Sequence, residues 1–168
     1  MNKKKYNFLR KMTAFTMSVM LMFAVTACGD NVPDRPGVAS ELFAALAEEG
    51  VNVDMIIQSG SPDQRQDISF TCARNDKNKC QKVLSSFVRS LPADSYSLVD
   101  TMAKISAVGS GMITHTGVAA TMVRTLSENG INIDMIATSE IRISCIVDER
   151  DVNRAAVALH TAFGLDAE

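Results

Sequence analysis

Apolar and polar positions follow two periods along the chain, and the pattern occurs twice. In residues 38–49, Val38, Leu42, Phe43, Ala45 and Leu46 recur at helical spacing, with Glu41, Glu48 and Glu49 on the other face, which predicts an amphipathic helix. Gly50 stands where a helix-ending glycine belongs. Val51, Val53 and Met55 then alternate with Asn52 and Asp54, so a half-buried strand is predicted at 51–57. Residues 59–67, rich in Gly, Ser, Pro and Asp, predict a turn, followed by a strand at 67–73 and a helix near 77–91. The order returns after an apolar strand at 103–108: a helix at 117–129, strands at 131–137 and 141–147, and a helix at 151–163.

The return is a duplication. Residues 37–59, GVASELFAALAEEGVNVDMIIQS, align with residues 117–139, GVAATMVRTLSENGINIDMIATS, and eleven of the 23 positions are identical at an offset of 80. In the second hairpin the offset falls to 75, where Ile68-Ser69 matches Ile143-Ser144, so that hairpin is five residues shorter. Strand-helix-strand-strand-helix is the ferredoxin-like order, and the fold class is α+β with antiparallel sheets.

The head has a different character. Lys3, Lys4, Lys5, Arg10 and Lys11 precede an uncharged run at 12–29 that closes on Val25-Thr26-Ala27-Cys28-Gly29. A basic start, a short apolar stretch and small residues at its end mark a secretory signal. Val25-Thr26-Ala27-Cys28 resembles a bacterial lipoprotein box, in which Cys28 is the lipidation site. A signal-anchor helix is the plainer alternative, opposed by Thr13, Thr16, Ser18 and Thr26. Domain boundaries follow at 1–28 for the signal-like segment, 29–99 for the first repeat and 100–168 for the second.

Charge narrows the function. Net charge is −2, and without the five basic residues of the head the remaining twelve basic and nineteen acidic residues give −7. A nucleic-acid partner with a broad basic face is excluded. The apolar content of 46% excludes disorder. No catalytic constellation, metal-ligand spacing or phosphate-binding glycine loop is found, so no catalytic residue, metal or cofactor is expected. His160 reads as a packing residue of the last helix, Cys72 and Cys145 as core residues of equivalent strands, and Asp148, Glu149 and Asp151 as caps of the last helix. A disulfide is open to Cys72, Cys80 and Cys145 if the chain is exported. At residues 34–39 a glycine lets backbone approach a ligand, helix-start N–H groups can hold a carboxylate, and Asp34 can face an ammonium group. An ordinary turn with a helix cap is the alternative reading.

The segments VPDRPGVASELFAALAEEGVNVDMIIQS, DISFT, AKISAVGSGM and GVAATMVRTLSENGINIDMIATSEIRISCIVDERDVNRAAVALHTAFGL resemble the tandem ACT regulatory domains of aspartate kinase, over residues 32–165. That resemblance implies two ferredoxin-like ACT units (βαββαβ) and a regulatory module binding lysine, threonine or both, in the biosynthesis of amino acids from aspartate. It also implies a homodimer joined through ACT units, a catalytic aspartate kinase subunit or domain as partner, and a cytoplasmic location. The kinase domain of the family is absent, so the chain is not expected to phosphorylate aspartate itself. The effector positions carried over are Asp34, Val38, Ala39, Gln58, Ser61 and Ser69 in the first unit, and Asn132, Ile133, Thr138, Ser139 and Glu140 in the second. Thr114 stands where the first unit has Asp34, and His115-Thr116-Gly117 replaces the family's His-Pro-Gly, so the two junctions are expected to differ.

One departure sets the alternatives. The family has an apolar strand just before VPDRPG, and here that place is taken by the end of the signal-like head. The first unit is therefore expected to lack its opening strand, or to borrow FAVTAC for it. The head supports a membrane-tethered lipoprotein that binds amino acids outside the cytoplasm, while the missing strand supports a truncated or fused gene product.

Overall fold

The computed structural model describes residues 22–61, 65–91 and 95–166; the basic cluster and residues 12–21 of the apolar run lie outside them. In chain order the elements are β1 (Met22–Pro33), α1 (Val38–Glu48), β2 (Val53–Ser61), β3 (Arg65–Ala73), α2 (Lys77–Ser90), β4 (Ser95–Val108), α3 (Val118–Glu128), β5 (Met135–Thr138), β6 (Arg142–Asp148) and α4 (Val152–Ala162). Short 3-10 turns at Arg74–Asp76, Ser110–Ile113 and Glu149–Asp151 precede α2, α3 and α4. The chain divides into two units, with residues 22–102 in the first and Ala103 onward in the second.

In the first unit the strand order is β2-β3-β1, with β4 beside β1. The opening strand expected to be missing is present. β1 runs antiparallel to β3 with Ala24 opposite Ala73, Ala27 opposite Phe70 and Pro33 opposite Arg65. The apolar stretch FAVTAC, which resembles the end of a signal, supplies this strand, because a run of small and β-branched residues suits a strand as well as a signal. Helices α1 and α2 close one core over Val32, Leu42, Leu46, Ile68, Phe70 and Leu84, all buried. Phe43 meets Phe70 edge to face at 5.8 Å, a favourable aromatic geometry.

The second unit carries the order β4-β6-β5 under α3 and α4. Its core contains Ile105, Met122, Leu126, Ile143, Cys145 and Leu159. β4 alternates between exposed and half-buried up to Thr101 and is buried throughout 102–107. Ile105 and Ala107 join the core, while Ser106, in the opposite phase, has its hydroxyl 2.8 Å from that of Ser144. Pairing two buried hydroxyls avoids the cost of leaving either alone.

Strand starts differ from the alternation for one reason. After α1, the Gly50 N–H donates to the Ala47 carbonyl and the Val51 N–H to the Leu46 carbonyl, each at 2.9 Å. After α3, the Gly130 N–H donates to Ser127 at 2.9 Å and the Ile131 N–H to Leu126 at 3.0 Å. This Schellman closure uses the first N–H of each predicted strand, so the ladder starts later: at Val53 rather than 51, and at Met135 rather than 131. A bulge between Val53 and Met55 follows, where the Met55 N–H donates to Thr71 Oγ1 at 3.2 Å. At the hairpin the strands run further than predicted, to Ser61 and from Arg65, because cross-strand pairing continues through Gly60 opposite Gln66.

A chain beginning at Cys28, the product of lipoprotein-type cleavage, loses the pairs at Ala24, Val25, Thr26 and Ala27. Hydrogen exchange of that truncated chain is expected to show lost protection in β3 with the α3–α4 unit unchanged. Full protection of β3 in the truncated chain would show that this half of β1 is dispensable.

Candidate functional site

The junction between β1 and α1 gathers most of the sequence-derived residues of the first unit. β1 ends at Pro33, residues 34–37 turn, and α1 begins at Val38 with Gly37 at its N-cap. Gly37 has φ of 101°, a left-handed conformation that costs an L-residue free energy. A Cβ built there meets nothing closer than Glu41 Oε1 at 3.9 Å, so backbone conformation rather than crowding selects glycine. No side chain caps α1, and its first N–H groups have no partner within the helix. The partial positive charge of that end favours an anion. Asp34 is exposed beside it, and Arg35 reaches Glu41 at 3.5 Å with both side chains about half exposed, a weak pair. Val38 is fully buried in the core, so it offers the junction only its backbone, and Ala39 is half-buried.

Strand register brings Gln58 and Ser61 to the same end of the sheet. Ser61, Arg65 and Pro33 form one row, and Gly60, Gln66 and Val32 the next. Gln66 is only 3% exposed. It accepts a hydrogen bond from Gln58 Nε2 and donates from its own Nε2 to the Pro33 carbonyl at 3.4 Å. The side chains sit diagonally across the β2–β3 ladder, within reach of each other. This bridge ties β2 to the residue immediately before Asp34. Gln66 was missed because the polar run at 59–67 reads as a turn. The available signal was its phase, since Gln66, Ile68, Phe70 and Cys72 are all buried at a spacing of two. Ser69 is not at this end: it pairs with Ile57 on one side and Cys28 on the other.

The second unit repeats the backbone without the polar apparatus. Gly117, at φ 96°, caps α3, again with no side-chain cap. Thr114 Oγ1 lies 3.1 Å from His115 Nδ1. The positions equivalent to Gln58 and Gln66 are Thr138 and Ile141, both exposed. Asn132 is exposed, and Ile133 packs partly against the core in the segment before β5. Thr138, Ser139 and Glu140 are exposed at the β5–β6 turn, closed by the Ser139 N–H donating to the Arg142 carbonyl at 2.7 Å.

Charged groups elsewhere serve local structure. Asp148 accepts from the Arg150 N–H at 2.9 Å and from its guanidinium at 2.9 and 2.7 Å, which holds the carboxyl down at about 2. Asp148 therefore caps the 3-10 turn before α4 rather than α4 itself. His160, expected among packing residues, is half-buried with Nδ1 2.5 Å from Asp166 Oδ1. An open groove of about 380 Å³ between α1 and α2 is spanned by the Lys82–Glu49 pair at 2.6 Å, and no sequence-derived site residue lines it. Among the described residues, no cluster of His, Cys, Asp and Glu could hold a metal ion, and no helix is long and apolar enough to cross a membrane.

Comparison with known proteins matches an ACT domain family model to residues 25–86 and 105–163. The aspartokinase of Mycolicibacterium smegmatis is 42% identical over 146 residues, covering 86% of this chain and 34% of the relative. The aspartate kinase of Pseudomonas putida is 43% identical over 137 residues, covering 82% and 33%. The chain thus spans about a third of the length of these relatives. A crystal structure of aspartokinase alpha and beta subunits superposes with a TM-score of 0.80 at 42% identity, covering 90% of this chain and 98% of that one. The ligand-free regulatory subunit of aspartate kinase from Thermus thermophilus superposes with a TM-score of 0.80 at 34% identity and the same coverage.

Two substitutions, with Gly60→Ala as a control, test the junction. Gly37→Ala is expected to lower stability by about 1–2 kcal/mol, the cost of a Cβ in left-handed backbone, whereas Gly60→Ala, in open space, costs far less. Gln66→Ala removes the partner of the exposed Gln58 amide and the half-buried Pro33 carbonyl, which water can replace, with an expected loss of about 0.5–1.5 kcal/mol. Urea unfolding of the three variants reads both expectations.

Proposed function

The chain belongs to the ACT domain family, in the tandem form of aspartokinase regulatory regions, and on that premise we propose that it senses a free amino acid and sets the activity of a catalytic kinase partner. The observation that carries this reading is the β1–α1 junction. An amino acid presents a carboxylate and an ammonium group a short distance apart. The uncapped start of α1 suits the first and the exposed Asp34 suits the second. The Gln58–Gln66–Pro33 bridge steadies the chain where Asp34 leaves the sheet. Lysine, threonine or both are the effectors proposed, with Val38, Ala39, Ser61, Ser69, Asn132, Ile133, Thr138, Ser139 and Glu140 as the further positions implicated by resemblance.

Catalysis belongs to the partner in this proposal. The effector acts by binding one conformation of the assembly more tightly than another, because equal affinity would shift nothing. A homodimer formed through ACT units is part of the same reading. Edge strands β2 and β5 each present an exposed isoleucine at the equivalent position, Ile56 at 52% and Ile136 at 41%. Apolar side chains on strand edges favour association.

Calorimetric titration with the twenty amino acids tests the proposal. Asp34→Ala is expected to weaken binding roughly ten- to hundredfold, the loss of a charge-assisted hydrogen bond of about 1.5–3 kcal/mol. Asn132→Ala is expected to weaken it less, and Thr114→Ala least. Equal affinity in all three variants and the parent would move the site elsewhere, and no binding by the parent would remove the sensing reading.

A further inference from the structure

Cys72 and Cys80 bring two thiol sulfurs together in the first core. Cys72 ends the inward row of β3, Cys80 lies in the first turn of α2, and their Sγ atoms are 3.1 Å apart. That is about 1 Å longer than a disulfide bond. Both thiols are free and buried, at 2% and 0% exposure. Packing alone does not call for them. At the offset of 75 that relates the two hairpins, their equivalents in the second unit are Val147 and Ala155, which are fully buried at the same strand-to-helix contact. The duplicated unit therefore fills this place without sulfur.

We propose that Cys72 and Cys80 are a redox-convertible pair, closing to a disulfide that ties α2 to β3 in the first unit. A low-molecular-weight disulfide, RSSR, is the oxidant. The Cys80 thiolate attacks one sulfur of RSSR, forming a Cys80–SR mixed disulfide and releasing RS⁻. Cys72 gives up its proton and attacks Cys80 Sγ, the Sγ–SR bond breaks, and a second RS⁻ leaves. Two protein thiols are oxidised, RSSR is reduced to two thiols, and the two protons go to the released thiolates. Burial confines the exchange to moments when the first turn of α2 lifts from β3, or to folding before the core closes. Cys80 attacks first because it sits on the turn that lifts, while Cys72 stays in the sheet. The hydrogen bond between the thiols holds Cys80 below the ordinary thiol range, while the same contact and burial push Cys72 up. Cys145, alone in the second core, is pushed up to about 11 by burial.

The full chain, equilibrated in oxidised and reduced glutathione, is acid-quenched, alkylated with a maleimide in denaturant and digested with trypsin. Cleavage after Arg74, Lys77 and Lys79 separates the two cysteines, so a closed pair appears as two joined peptides. The expected result is joined Cys72 and Cys80 peptides that separate on reduction, with Cys145 alkylated. Alkylation of both at every glutathione ratio, or linkage of either to Cys28 or Cys145, overturns the proposal. The double variant Cys72→Val with Cys80→Ala reproduces the second unit and is expected to fold. Its unfolding midpoint should ignore the glutathione ratio, whereas that of the parent rises on oxidation. Parent and variant midpoints that respond alike also overturn it.

Discussion

The pairing of β1 with β3 carries the first unit. β1 lies between β3 and β4, so its backbone satisfies donors and acceptors on both neighbours. Without it β3 and β4 would each present an unpaired edge. Register along this pair also sets the site. With Pro33 opposite Arg65 and Val32 opposite Gln66, the chain leaves the sheet at the point where Gln66 can hold the Pro33 carbonyl. The direction in which residues 34–37 emerge, and with it the position of Asp34, depends on that register. Residues 22–27 are therefore structural here, whatever an exported chain would do with a similar stretch.

Duplication makes each unit a control for the other. Both junctions use a left-handed glycine at the helix start and a Schellman closure at its end, so the same backbone geometry occurs twice. Polar side chains do not repeat with it. Asp34, Gln58 and Gln66 are replaced by Thr114, Thr138 and Ile141, which removes the charge and the amide bridge together. The helix-start geometry recurs with the packing, while the carboxylate is particular to the first unit. At the places equivalent to Cys72 and Cys80 the second unit has Val147 and Ala155, both fully buried.

Burial explains which polar residues are committed. Gln66, Thr71, Ser106 and Ser144 are nearly inaccessible, and each has a hydrogen-bond partner inside its own unit. Leaving any of them alone would cost about 1–3 kcal/mol, a large share of the stability of a small domain. These residues hold strand to strand. Asp34, Thr138, Ser139 and Glu140 are exposed, and their energetic role in the folded chain is correspondingly small.

Periodicity, glycine placement and the internal repeat were enough to specify α1 to α4 and the hairpin strands of each repeat, while the family was read from segments that resemble aspartate kinase regulatory domains. Those features are local or recur at a fixed offset, and both survive translation into one dimension. The helix-ending glycines were legible for the same reason, although the later strand starts at Val53 and Met135 were not. Tertiary structure alone decided that Phe23 to Cys28 form a strand, because an apolar run of that length is equally compatible with a signal until a partner strand is found for it. It also decided the role of Gln66, whose polarity argued for a turn until the β2–β3 register placed it beside Pro33, and the meeting of Cys72 with Cys80. In all three cases the deciding quantity is a distance between segments far apart or differently oriented in the chain, which no local pattern encodes.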